Sequence, residues 1–86
     1  MEVEYKKKAL LDLEYWKEQG NNKIQNRISE LIEDICNHPF TGIGKPKPLK
    51  YELFGLWSRR ITQKHRIIYE VINGRVSIIS MKGHYL

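Results

Sequence analysis

A change of hydrophobic period at Pro39 limits this chain to few folds. Before it, Ile24, Ile28, Leu31, Ile32 and Ile35 recur at i, i+4, i+7, i+8 and i+11, the apolar stripe of one helix face. Pro39 predicts that this helix stops near Asn37. Ala9, Leu10, Leu13 and Trp16 predict an earlier helix, Gly20 suits the residue just past its end, and Asn21 or Asn22 can cap the next. The short break between them favours an antiparallel helical hairpin. Val3 and Tyr5 alternate with charged residues and predict a short leading strand.

After Pro39 the pattern is that of strands. Thr41 to Pro48 holds two glycines and two prolines and reads as a loop. Alternating runs follow at Leu49–Leu53, Trp57–Thr62, His65–Ile72 and Arg75–Met81. Asn73-Gly74 between the last two signals a type I′ hairpin turn. That turn predicts Ile68 opposite Ile79, and Arg66 near Met81 and Gly83. The fold class is α+β, a helical hairpin covering one face of an antiparallel sheet. Eighty-six residues allow one domain, 1–86.

No run approaches eighteen apolar residues, so no membrane span is expected. The start, Met1-Glu2-Val3-Glu4, has no apolar core of a signal peptide. The single cysteine, Cys36, has no intramolecular partner and reads as a half-buried filler. The expected location is the cytoplasm.

The formal charge of +5 is unevenly placed. Residues 1–38 carry six basic and eight acidic groups, a net of −2; residues 39–86 carry nine basic groups against Glu52 and Glu70, a net of +7. Concentration in the strand half suggests a face for a polyanion.

Several chemistries fail on spacing. Gly42-Ile43-Gly44-Lys45 lacks the strand–GxxxxGK[ST]–helix context of a phosphate loop. His38, His65, His84 and Cys36 lack metal-ligand spacing, so no metal or cofactor is expected. His38 and His65 read as a helix-end and a turn residue. No acidic pair suits glycoside cleavage, and no Gly-x-Ser-x-Gly elbow occurs.

What remains converges on phosphate. Lys45, Lys47 and Lys50 follow the helices, Arg59 and Arg60 lie on the next strand, and Arg66 on the one after. His84-Tyr85 follows the strand paired with Arg66. Metal-free RNA cleavage needs a base for the 2′-hydroxyl, cations for the phosphorane and an acid for the 5′-oxygen. Histidine can supply the acid, and tyrosine can stack on a base or bond a phosphate oxygen. The plainer reading is a patch that only binds an anion.

The run Pro39-Phe40-Thr41-Gly42-Ile43-Gly44-Lys45-Pro46, then Trp57-Ser58-Arg59-Arg60-Ile61, His65-Arg66-Ile67-Ile68-Tyr69 and His84-Tyr85, resembles the YoeB/Txe toxins of the RelE superfamily. Glu14-Tyr15-Trp16 also fits, and the resemblance covers nearly the whole chain. It implies a RelE-like fold, two helices packed on a curved antiparallel sheet. It implies the toxin of a bacterial type II toxin–antitoxin pair, an endoribonuclease that enters the ribosomal A site and cuts mRNA, leaving a cyclic phosphate. It implies as partners an acidic YefM-like antitoxin, the ribosome with its mRNA, and a second copy in a homodimer. Carried over by residue, His84 is the general acid, Arg66 stabilises the scissile phosphate, Tyr85 orients substrate, and Lys50 and Arg60 hold the RNA backbone. Lys45 and Arg59 join the RNA-binding set on charge.

Lys47 departs from the pattern, standing where the family usually has a glutamate base. A protonated lysine has no lone pair to accept a proton. Three readings stay open: a lysine that loses its proton to the repulsion of Lys45, Lys50 and Arg66 and acts as base; a charge stabiliser, as in RelE relatives that rely on lysines and arginines; or an attenuated toxin kept for antitoxin binding and co-repression. Glu52 is an alternative base that nothing in the sequence places at the phosphate. A gyrase poison of the ParE branch is disfavoured by His84-Tyr85. A shared site also requires Arg60 and Arg66 on one sheet face, which a three-residue loop or a bulge between their strands provides.

Overall fold

The computed structural model describes residues 1–83. Strand β1 (Glu2–Tyr5) leads into α1 (Lys7–Glu18) and α2 (Asn22–Asn37). The strands β2 (Lys47–Pro48), β3 (Trp57–Arg60), β4 (Arg66–Ile72) and β5 (Arg75–Ser80) follow. The sheet order is β1-β5-β4-β3-β2. All neighbours are antiparallel except β1, which runs parallel to β5.

The helix signals act as their chemistry requires. Gly20 takes φ 64 just past α1, and the Gly20 and Asn21 N–H groups return to the Lys17 and Trp16 carbonyls at 3.0 and 3.3 Å. This pair of bonds satisfies carbonyls that a helix end leaves open. The Asn21 side chain then accepts from the Ile24 N–H at 3.1 Å and caps α2. Ile24, Ile28, Leu31 and Ile35 are buried against Ile67, Tyr69, Val76 and Ile78 of the sheet. Helix α1 differs from the expected stripe: Leu10 is exposed, and Asp12 is buried between Ala9 and Trp16. Asp12 accepts the Met81 N–H at 2.9 Å and a bond from Lys8 at 2.8 Å. The Trp16 indole donates to the Met81 carbonyl at 2.9 Å. One helical turn apart, these two side chains hold both polar groups of Met81.

Asn73 and Gly74 both take positive φ, 52 and 74, as a type I′ turn demands. The register holds from Ile72↔Arg75 to Tyr69↔Ile78, then slips, and Ile68 pairs with Ser80 rather than Ile79. Ile79 is the extra residue of a bulge. The slip reverses the alternation beyond it, so Met81 turns into the core instead of lying beside Arg66. The Arg66 N–H does reach Gly83, donating to its carbonyl at 2.9 Å.

The expected strand at Leu49–Leu53 is absent. Lys47–Pro48 forms the strand, and Tyr51–Leu53 is a 3-10 turn. Tyr51 has φ 57 and Gly55 φ 100, which break an extended path. The Leu49 N–H bonds the Leu56 carbonyl at 2.9 Å and closes the connection to β3.

Candidate functional site

The helices cover one sheet face; the site lies on the other. Adjacent residues of a strand point to opposite faces, so Arg59 and Arg60 part company. Arg59 enters the helix side and is fully buried. Its guanidinium donates to Asp34 and to the backbone carbonyls of His38, Thr41 and Ile43, and its Nε to the Tyr69 hydroxyl at 3.2 Å. The Tyr69 hydroxyl donates onward to the Pro39 carbonyl at 2.7 Å. Every polar edge of Arg59 is occupied inside the protein, which removes it from the RNA-binding set. Its task is to fasten the stretch from His38 to Ile43 onto the sheet.

That fastening shapes the loop ahead of Lys45. The Asp34 carboxylate also accepts the Ile43 N–H at 3.1 Å. The Arg59 bond to Asp34 is the main cause holding that carboxyl below its ordinary range. Burial pushes the Tyr69 phenol up, against the opposing effect of its bond from Arg59. Gly42 has φ 116, and a Cβ there would stand 1.9 Å from Asp34 Oδ2. Further along, the Gly44 carbonyl accepts the Arg60 N–H at 2.7 Å, laying the loop along β3.

Arg60 pairs directly with Arg66, so both side chains stand on the same open face. The intervening turn has three residues between Ile61 and His65, whose backbones bond at 2.9 Å. The Arg66 guanidinium bonds the Thr62 and Gln63 carbonyls at 3.2 and 3.3 Å. Lys47 lies across from Ser58. Lys45, Lys47, Arg60 and Arg66 thus line one cleft of about 250 Å³ floored by buried Ser58. No carboxylate lines it among the described residues. Such a cluster suits an anion whose charge rises during reaction.

Lys50 is exposed and lines an adjoining pocket that shares Lys47 with the cleft; Glu52 lines that pocket too, not the cleft. His65 follows the turn, stacks edge-on against Trp16 and accepts the Gly83 N–H on Nδ1 at 2.9 Å. His38 caps the end of α2. His84 and Tyr85 lie outside the described residues. Among the described residues no three His, Cys, Asp or Glu side chains gather as a metal site, and no helix is long and apolar enough to cross a membrane.

Sequence reasoning missed Asp34, Tyr69 and Asp12 as the residues that hold this arrangement. A signal existed only for Arg59: two adjacent arginines on one strand cannot share a face.

Comparison with known proteins agrees with the fold. The pattern of the YoeB-like toxins of bacterial type II toxin–antitoxin systems matches residues 5–85. Toxin YoeB of Synechocystis sp. is 47% identical over 70 residues, 81% of each chain. Toxin YoeB of Escherichia coli is 46% identical over 74 residues, 86% of this chain and 87% of that one. Among solved structures, a YoeB/ParE toxin from Agrobacterium tumefaciens superposes with a TM-score of 0.92 at 36% identity, over 99% of this chain and all of that one. The toxin in a YoeB–YefM complex from Staphylococcus aureus superposes at 0.89 and 37%, over 99% and 98%.

Proposed function

Because the chain belongs to the YoeB-like toxins of bacterial type II toxin–antitoxin systems, we propose that it is a ribosome-dependent, metal-independent mRNA endoribonuclease. The observation that carries this reading is the direct pairing of Arg60 with Arg66 in a cleft shared with Lys45 and Lys47. Four cations converging on one opening suit a scissile phosphate.

In this reading the 2′-hydroxyl oxygen attacks phosphorus, the bond to the 5′-oxygen breaks, and a cyclic phosphate remains. Arg66 and Lys47 neutralise the phosphorane, and Arg60, Lys45 and Lys50 hold the flanking backbone. His84 gives its proton to the departing 5′-oxygen, and Tyr85 orients the substrate. Lys47 acts as a charge stabiliser in the place of a glutamate base. The cationic field favours ionisation of the 2′-hydroxyl, whose proton passes to water. The partners are the ribosome with its message and a YefM-like acidic antitoxin that covers the same cations; the structure of a YoeB–YefM complex from Staphylococcus aureus supports that pairing. A YoeB dimer from the same organism supports a homodimer.

Expression without antitoxin is expected to arrest growth and to produce cuts in ribosome-bound message. His84→Ala should relieve the arrest and keep antitoxin binding; an equally toxic variant defeats the catalytic assignment. Lys47 favours a second reading, an attenuated toxin retained as an antitoxin-binding co-repressor. Lys47→Ala and Lys47→Glu separate the two. Cleavage that appears only with Glu makes the native chain attenuated. Cleavage lost with Ala and not regained with Glu makes Lys47 a working part.

A further inference from the structure

The pocket beside the cleft shares Lys47 with it and takes in Lys50, but its aromatic edge has no part in the chemistry above. It has a volume of about 360 Å³ and is formed by the run from Lys47 to Leu53. Its outer wall carries Tyr51, 90% exposed, and Phe54 follows one residue past the lining, 86% exposed. Two aromatic rings left in water on one short turn are unusual for a chain of this size. The turn that presents them is fixed: the Phe54 N–H bonds the Tyr51 carbonyl at 3.0 Å, the Leu49 N–H bonds Leu56, and Leu49 is buried beneath. Tyr51 holds a left-handed backbone, φ 57, uncommon for a bulky side chain. Lys50 stands beside it, and Lys47 lines both pocket and cleft, so the two openings share a wall.

We propose that this pocket is a nucleobase subsite, in which the base of the nucleotide adjoining the scissile phosphate stacks on Tyr51, with Phe54 as a second platform. The proposal rests on the endoribonuclease reading and adds to it where the bound strand lies. Single-stranded RNA is gripped by cations that follow its backbone and by aromatic faces that stack its bases. Lys47 and Lys50 supply the first within the same lining as the ring that supplies the second. A second copy of the chain fits worse, because a symmetric contact here would bring the lysines of both copies together.

The test uses the full chain and 2′-O-methyl hexanucleotides, which cannot be cleaved. 2-Aminopurine or an abasic residue is placed at each position in turn. Binding should quench 2-aminopurine at one position, and the abasic residue there should weaken binding about tenfold. Tyr51→Asn/Phe54→Ser, with asparagine chosen because it tolerates the left-handed backbone, should lose both effects while melting at the parent temperature. Quenching and discrimination that persist in the variant overturn the subsite, as does a parent that binds no hexanucleotide. A variant that loses only its self-association assigns the surface to a contact between copies and also overturns it. Discrimination in a parent that cuts no ribosome-bound message leaves the subsite standing and defeats the endoribonuclease reading instead.

Discussion

Arg60 lies directly opposite Arg66 across β3 and β4, two cations paired on one open sheet face. Like charges so placed cost a sheet roughly 0.2–1 kcal/mol. Arg66 is eased by the carbonyls of Thr62 and Gln63; the Arg60 side chain makes no hydrogen bond or ion pair among the described residues. The fold gains nothing from this pair, and a bound anion gains much. Arg60→Ala should therefore leave the melting temperature equal or slightly raised. Message cleavage on programmed ribosomes should fall about 10- to 100-fold, the worth of one charged hydrogen bond. A lower melting temperature with unchanged cleavage would assign Arg60 to the fold.

Its neighbour Arg59 should behave in the opposite way. Asp34→Ala leaves a fully buried guanidinium without its counter-charge, at a cost of about 3–5 kcal/mol in urea unfolding. Arg59→Ala should be similarly damaging, since it frees the carbonyls of His38, Thr41 and Ile43 together. A mild loss in either variant would mean that other contacts hold the loop.

The same pair gives a signed pH dependence. Arg59 keeps the Asp34 carboxyl below its ordinary range in the folded state. Its contribution is therefore fully present above the unfolded carboxylate value of about 3.9 and is lost as pH falls through the lower folded value. Urea midpoints below about pH 4 should decline more steeply for the parent than for Asp34→Asn. Parallel acid limbs would exclude Asp34 from that linkage.

Asp12 and Trp16 offer a test of how the end of β5 is held. Asp12→Ala strips the partner from a buried Met81 N–H, costing about 1–3 kcal/mol. Trp16→Phe loses the bond to the Met81 carbonyl, about 0.5–1.5 kcal/mol, together with indole packing against His65. Met81 stands three residues ahead of His84, so both variants should also lower toxicity more than their stability loss explains. Toxicity that tracks stability alone would limit Asp12 to a structural part.

Much of this was readable in advance because it depends on local chemistry. The α2 stripe, the Gly20 and Asn21 ends, the stop before Pro39 and the Asn73-Gly74 turn each rest on neighbours in the chain. The misreadings depend on distant partners. Asp12 takes a place on the buried face of α1, where it accepts the Met81 N–H, and Leu10 is exposed. Leu49, Tyr51 and Leu53 alternate like a strand, and alternation cannot reveal the positive φ of Tyr51 that bends them into a turn. Arg59 looks like its neighbour until Asp34, on the last turns of α2, is brought against it. The two-residue turn sets the β4–β5 register only as far as Tyr69↔Ile78, and the bulge beyond it turns Met81 into the core. The grouping of Lys45, Lys47, Arg60 and Arg66 was legible as charge, and became a cleft once the three-residue turn set Arg60 against Arg66.

The parallel pairing of β1 with β5 joins Glu2 to Arg75, and it orders events in time. During synthesis β1 emerges first and has no strand to join. The α2 stripe can meet Ile67 and Tyr69 of β4 but not Val76 and Ile78, and Asp12 and Trp16 have no Met81 to hold, until the latest-made of the described strands is available. Contacts that span nearly the whole chain form slowly, since the closure entropy precedes their reward. A nascent copy that has not yet released β5 therefore lacks the strand that joins β1 to β4. A chain cut short before β5 leaves β1 with no strand to join.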